Sequence, residues 1–105
     1  MEQQVFYAYR YPKLKRERIV TIAFTKTETE LSVGTAFCSI HDQFEKKMGR
    51  KIATGRLSRQ PTFNDQPGFA FTKTFAELGL SEKPTMKEIV EFLRENIYTL
   101  TGTKL

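Results

Sequence analysis

The sequence predicts an α+β fold: a small, mostly antiparallel sheet, made of a hairpin plus one or two short strands and covered by two amphipathic helices. Three observations predict it. Residues 5–11, 19–26 and 31–40 alternate apolar and polar side chains and are rich in β-branched and aromatic types, as strands are. Two later segments, 42–56 and 86–100, repeat apolar residues every three or four positions, as helices do. The predicted order is therefore three strands, a helix, an irregular segment and a second helix, which is typical of helices packed on a small sheet.

Length and composition narrow the class of protein. With 105 residues, the chain is expected to form a single domain over 1–105. Its net charge of +5 favours anionic partners. One cysteine excludes an internal disulfide and, with one histidine, is too little for a metal site, so we expect no metal, no cofactor and a reducing compartment. No apolar run is long enough for a membrane span, so we expect a soluble, intracellular protein with no membrane partner.

The first strand is predicted over residues 5–11. If extended, it places Tyr7, Tyr9 and Tyr11 on one face and Phe6, Ala8 and Arg10 on the other. Pro12 and the basic cluster 13–18 then interrupt the pattern, because proline cannot donate to a ladder and like charges prefer solvent.

A hairpin follows. Residues 19–26 put Val20, Ile22 and Phe24 on the core side, residues 27–30 have the polar composition of a turn, and residues 31–40 form the partner strand. The hairpin therefore leads directly into the first helix.

The first helix is predicted over residues 42–56. Asp42 and Glu45 have the spacing of a capping box, in which two side chains satisfy backbone donors of the first turn. Phe44, Met48 and Ile52 recur at every fourth position, so we expect this stripe to be buried. The opposite side then carries Lys46, Lys47, Arg50 and Thr54.

The second half of the chain gives shorter elements and one clear helix. Residues 69–72 suggest a short strand, and 74–79 one or two helical turns closed by Gly79. Thr85 and Glu88 form a second capping box before the last helix. That helix has an apolar face of Met86, Ile89, Val90, Leu93, Ile97 and Leu100 and an acidic outer face, so we expect it to pack and to provide a seam for a homo-oligomer.

The cations of the first helix point to a phosphate-bearing ligand. Residues 43–59 hold six lysines and arginines against one acid, and four of the six cations fall within six residues. Such density is self-repelling unless an anion relieves it, although an ordinary solvated helix face has a similar composition. Gly49 and Gly55 are costly inside a helix and call for the close approach of a backbone or a ligand. We therefore predict that the phosphate is held by Lys46, Lys47, Arg50, Arg56 and Arg59.

Catalysis is not expected. Ser39, His41 and Asp42 are too close in sequence to converge as a triad, which normally draws on separate elements, and helix capping explains Ser39 and Asp42 better. The glycine-rich run 49–56 has the wrong spacing for a P-loop. The sequence therefore favours a binding protein over an enzyme.

The run from Phe37 to Leu57 also carries a resemblance. Its skeleton, Cys-Ser followed by Asp-x-Phe-x-Lys-Lys-x-Gly-Arg-x-Ile-Ala-x-Gly-Arg, covers about a fifth of the chain. It resembles a motif of small phage-encoded proteins of about this length and, within that group, the Thoeris anti-defence proteins of the first class. The resemblance implies an oligomeric, noncatalytic protein in the cytoplasm of an infected bacterial host. Such a protein sequesters a cyclic nucleotide immune signal near arginines at a subunit boundary. The residues carried over are Asp42, Lys46, Gly49, Arg50, Arg56 and Arg59.

Three functions therefore stay open. The first is sequestration of a cyclic nucleotide. The second is nucleic-acid binding by a basic phage protein, because two basic clusters and tyrosines or phenylalanines available for stacking suit a ligand with phosphates and bases. The third is inhibition of a host protein through a rigid helix face.

Overall fold

The chain forms a four-stranded antiparallel sheet with two helices. A computed structural model describes residues 4–13, 18–38, 45–58 and 70–101. Consecutive strands are neighbours in the sheet, in the order β1-β2-β3-β4, and all three pairings are antiparallel. The expected α+β fold is confirmed. Its elements are β1 (Phe6–Arg10), β2 (Val20–Lys26), β3 (Glu30–Phe37), α1 (Lys46–Ser58), β4 (Ala70–Thr74) and α2 (Met86–Thr101).

The hairpin of β2 and β3 has the predicted turn. Thr27 N donates to the carbonyl oxygen of Glu30 at 2.9 Å, and the Thr27 hydroxyl accepts from the backbone N–H groups of Thr29 and Glu30. These bonds satisfy donors that a turn would otherwise leave open, a common role for threonine. They fix the register in which Lys26 is opposite Leu31.

One face of the sheet forms the main core with α2. Val20, Ile22 and Phe24 are fully buried there, as the alternation of β2 predicts. Burying such side chains contributes about 1.5 to 3 kcal/mol each. The matching residues of α2 are Ile89, Leu93 and Ile97, all fully buried.

The second capping box forms as predicted. Glu88 N donates to the Thr85 hydroxyl, and Thr85 N donates to the Glu88 carboxylate. The predicted acidic outer face of α2 is solvent-exposed at Glu88, Glu91 and Glu95. The buried apolar residues of α2 are used in the chain's own core, so they offer no seam to a second copy. The homo-oligomer stays a prediction.

The opposite face of the sheet is built of small residues and carries α1. Ala23 of β2 and Ala36 of β3 pack with Ala53 of α1. A Cβ added at Gly34 of β3 would come within 2.9 Å of the Leu57 Cα, so only glycine fits beneath the helix. Because the residues at the centre of this contact are small, the backbones of the helix and the sheet come close together.

The predicted buried stripe of α1 is wrong. Met48 is 51% exposed and Ile52 is 40% exposed, while Gly49 and Ala53 face the sheet. The physical reason is the small-residue surface of the sheet, which accepts a glycine and an alanine at close range and has no room for larger side chains. Phe44, the third member of the stripe, lies outside the described residues, as does Asp42 of the first capping box.

The segment after β4 makes the expected helical turn. Leu78 N donates to the Thr74 carbonyl oxygen at 3.2 Å, and Gly79 closes the turn with a φ of +76° that favours glycine. Thr74 and Glu77 form a capping box that the sequence analysis missed. The N–H and hydroxyl of Thr74 both donate to the Glu77 carboxylate and hold the pKa of that carboxyl below its ordinary value.

Candidate nucleic-acid interface

Two tyrosines of the edge strand β1 face α1. Tyr7 and Tyr9 are alternate residues of β1 and therefore project from the same face of the sheet, the face that α1 covers. β1 pairs only with β2 and is therefore an edge strand of the described sheet. Its tyrosines lie at that edge. Tyr7 keeps 39% of its surface exposed.

Cations of α1 lie over both tyrosine rings. The Lys46 ammonium is 5.1 Å from the centroid of the Tyr9 ring, and the Arg50 guanidinium is 5.8 Å from that of the Tyr7 ring. One turn further along the helix, the Thr54 and Tyr7 hydroxyls are hydrogen-bonded at 3.0 Å. We call these five residues the tyrosine–cation ladder. Each cation–π contact at an exposed site contributes about 0.5 to 1 kcal/mol.

The ladder follows from the repeats of a strand and a helix. Alternate residues of a strand are about 6.8 Å apart, and every fourth residue of a helix rises about 6.0 Å. Tyr7 and Tyr9 can therefore meet Arg50 and Lys46 in turn, because α1 runs antiparallel to β1. These contacts favour one arrangement of the rings and the cations at the surface.

The solvent side of α1 adds further cations. Lys47 and Lys51 are exposed one turn apart, beside the exposed Met48 and Ile52. A Cβ added at Gly55 on this side would meet no atom within 4 Å. Gly49, in contrast, is explained by the close approach of Thr21. The outward surface of α1 is therefore a cationic strip with an open glycine near its end.

Arg56 has a different role from the other predicted ligands. Its Nη1 donates to the backbone carbonyl oxygen of Thr35 at 2.8 Å, which ties the last turn of α1 to β3. Partial burial lowers the pKa of the guanidinium below its ordinary value, but arginine remains protonated at any physiological pH. Arg56 thus joins two elements on the flank of α1 away from the tyrosines.

The structure brings some of the predicted ligands together and not others. Lys46, Lys47 and Arg50 share one end of α1, with Gly49 between them against the sheet. Asp42 and Arg59 lie outside the described residues. Sequence reasoning missed Tyr7, Tyr9 and Thr54 as members of the site. Two tyrosines spaced two residues apart on a strand can match two cations spaced four residues apart on a helix. This match could have indicated the site, once β1 and α1 were placed side by side.

The other surface features of the described residues include none of the predicted ligand residues. A cavity of about 720 Å³ lies between the hairpin turn and the segment after β4, with Lys26, Thr27, Phe75, Leu80 and Pro84 among its lining residues and none from α1. Within the described ranges, no three His, Cys, Asp or Glu side chains are grouped so as to hold a metal ion. Neither described helix has the length and apolar character that crossing a membrane requires.

Comparison with known proteins gives a partial similarity. The chain is 34% identical to a leucine–tRNA ligase of Methanosarcina mazei over 98 residues. The matched stretch is 92% of this chain but 10% of the ligase, so the chain spans about a tenth of that relative's length. No protein-family model matches the sequence, and no solved structure matches it. The similarity covers too little of the ligase to show that the chain belongs to its family.

Proposed function

We propose that the chain is a noncatalytic module that binds RNA through the tyrosine–cation ladder and the exposed lysines of α1. The observation that carries the proposal is the ladder itself. Two aromatic rings and two cations are held in register at the surface, at 5.1 and 5.8 Å, beside Lys47 and Lys51. Proteins recognise single strands and loops of nucleic acid with two components: cations that contact the phosphates, and aromatic rings that stack on the bases.

The distribution of charge supports the same surface. The chain carries a net charge of +5, and the described part of α1 contains five cations and no acid. The outer face of α2 instead carries Glu88, Glu91 and Glu95. The three acids of α2 outnumber its two cations, Lys87 and Arg94, by only one. A polyanion is therefore attracted more strongly to the α1 side than to the α2 side, which orients its approach.

The choice of RNA draws on the comparison as well. The relative that matches over most of this chain is by its name a ligase that acts on tRNA. That similarity, together with a surface of aromatic and cationic side chains, favours RNA as the first polymer to test.

Sequestration of a cyclic nucleotide makes a different structural demand. A compact ligand is usually enclosed in a concave pocket with a few convergent polar groups. Lys46, Lys47, Arg50 and Lys51 are exposed along a helix surface, which suits an extended ligand better. The cyclic nucleotide stays a prediction, and one titration can test both ligands.

Fluorescence anisotropy with a labelled single-stranded RNA, at two or more salt concentrations, tests the proposal. We expect binding that weakens steeply as salt rises, because each phosphate neutralised on a single strand releases counterions. The double variant Lys47→Ala/Lys51→Ala should reduce the slope of log Kobs against log salt by roughly 0.7 for each lysine that contacts a phosphate.

The matched control is Lys83→Ala/Lys87→Ala, which removes the same charge from exposed positions away from α1. This control should keep the wild-type slope. Equal losses in both double variants would show that net charge alone drives binding and would contradict the proposed surface. Absence of RNA binding, with tight and nearly salt-independent binding of a cyclic dinucleotide, would replace the proposal with the sequestration hypothesis.

A further inference from the structure

A third tyrosine continues the row of aromatic rings along β1. Tyr11 follows β1, two residues after Tyr9. It is 50% exposed, compared with 39% for Tyr7. Its ring centroid is 6.5 Å from that of Tyr9, with the planes tilted by 31°. Three tyrosines at alternate positions thus form a row at the edge of the sheet.

Two rings of this row, those of Tyr7 and Tyr9, are oriented before any ligand binds. Arg50 and the Thr54 hydroxyl fix Tyr7, and Lys46 fixes the Tyr9 ring. The backbone beneath them is also tied, because the Arg94 side chain of α2 donates to the Tyr9 carbonyl oxygen at 3.0 Å. Rings that are already ordered lose less conformational entropy when a base stacks on them, so more of the stacking energy appears as affinity.

The spacing of the row discriminates between forms of nucleic acid. Neighbouring rings are about 6.8 Å apart along a strand, close to the 6.5 Å measured between Tyr9 and Tyr11. The bases of a duplex rise about 3.4 Å from one to the next along its axis and are stacked on one another. Both faces of a base inside a duplex are therefore already covered. An extended single strand can separate its bases and offer them to the rings of Tyr7 and Tyr11, which are four residues and about 14 Å apart along the chain.

We propose that this surface selects single-stranded nucleic acid, stacking bases on the exposed rings of Tyr7 and Tyr11 while the lysines of α1 contact the phosphates between them. The inference rests on the proposed function and adds to it the class of strand that the site accepts. The tyrosines supply the preference for a single strand, and the lysines supply affinity that does not depend on strandedness.

Intrinsic tyrosine fluorescence gives a direct test, because the chain has four tyrosines and no tryptophan. Tyr98 is buried in the main core, where its hydroxyl donates to the Arg18 carbonyl oxygen, so its emission is a constant background. Three probes are titrated at one salt concentration: a short oligouridylate, an RNA duplex of the same length, and inorganic polyphosphate. We expect the oligouridylate to quench the emission and to bind about tenfold tighter than the duplex. Polyphosphate should bind without quenching.

Ring variants separate stacking from charge. Tyr11→Leu and Tyr7→Leu should each weaken oligouridylate binding about tenfold and reduce the quenching, while duplex binding and the salt slope should change much less. Tyr11→Phe keeps the ring and should retain wild-type affinity. Circular dichroism of the leucine variants checks that the sheet is intact, and Tyr11, which lies beyond the end of β1, is the safer of the two positions.

The outcomes distinguish the inference from the function on which it rests. Equal binding of single strand and duplex, with both leucine variants unchanged, would overturn the stacking inference and leave RNA binding in place. No binding of any polynucleotide would overturn both.

Discussion

Glycines at the contact between α1 and the sheet are required by geometry. A methyl group at Gly34 would overlap the backbone of α1, with 2.5 Å to the Leu57 nitrogen, and one at Gly49 would overlap the Thr21 hydroxyl. Backbone atoms cannot rotate out of the way as a flexible side chain can. A methyl group at Gly34 would therefore force the whole helix to move away from the sheet. Gly55 differs, because its outward direction is open.

These glycines give a matched pair of substitutions. Gly34→Ala should lower the free energy of unfolding by about 1 to 3 kcal/mol through overpacking. Gly55→Ala should raise it by about 1 kcal/mol, since alanine favours the helix and meets no neighbour. Denaturant unfolding of both variants measures the two effects. A destabilised Gly55→Ala, or an unaffected Gly34→Ala, would be inconsistent with the position of α1.

At the level of elements, the orientation of α1 determines the character of the surface. Because Gly49 and Ala53 face the sheet, Lys46 and Arg50 lie over the tyrosines and Lys47 and Lys51 point to solvent. Had Met48 and Ile52 been buried, the cations would have been rotated away from β1 and the ladder could not form.

Acidic substitutions on the two sides of α1 test this orientation. Met48→Asp should change the free energy of unfolding by about 0.5 kcal/mol or less, because the position is half exposed. Ala53→Asp should cost several kcal/mol, because it places an unpaired charge in a fully buried position. Thermal unfolding of both proteins gives the comparison, and a loss at Met48 as large as that at Ala53 would support the opposite face.

The elements differ in how far the sequence could predict them. The alternation of Val20, Ile22 and Phe24 and the helical spacing of Ile89, Leu93 and Ile97 identified β2 and α2 correctly, because both bury large side chains. The range predicted for α1, residues 42–56, overlaps most of the observed helix, Lys46–Ser58, but the predicted buried face was wrong. Its contact is made by glycine and alanine, whose small side chains give no hydrophobic pattern, and the larger Met48 and Ile52 pointed to the wrong side.

At the scale of the whole molecule, the sheet separates two unlike helices. The large apolar side chains are on the α2 side, and the small residues, Tyr7 and Tyr9 and the five cations of α1 are on the α1 side. The core therefore provides stability on one face and leaves the other free to present charge. Tyr7 and Thr54 are 47 residues apart in sequence, so their contact depends on tertiary packing that no local pattern encodes. Cation density in α1 could be recognised from sequence, but its pairing with tyrosines could not.

The central claim is that β1 and α1 together form the nucleic-acid surface, and amide chemical-shift mapping tests it most directly. ¹⁵N-labelled protein is titrated with a short oligouridylate, and the shifted resonances are placed on the fold. The account predicts that the largest changes occur at Tyr7, Tyr9 and Tyr11 and along residues 46–54. The outer face of α2, including Glu91 and Glu95, should remain unchanged. Changes concentrated on α2 or around the cavity by the hairpin turn, with β1 and α1 unaffected, would contradict it.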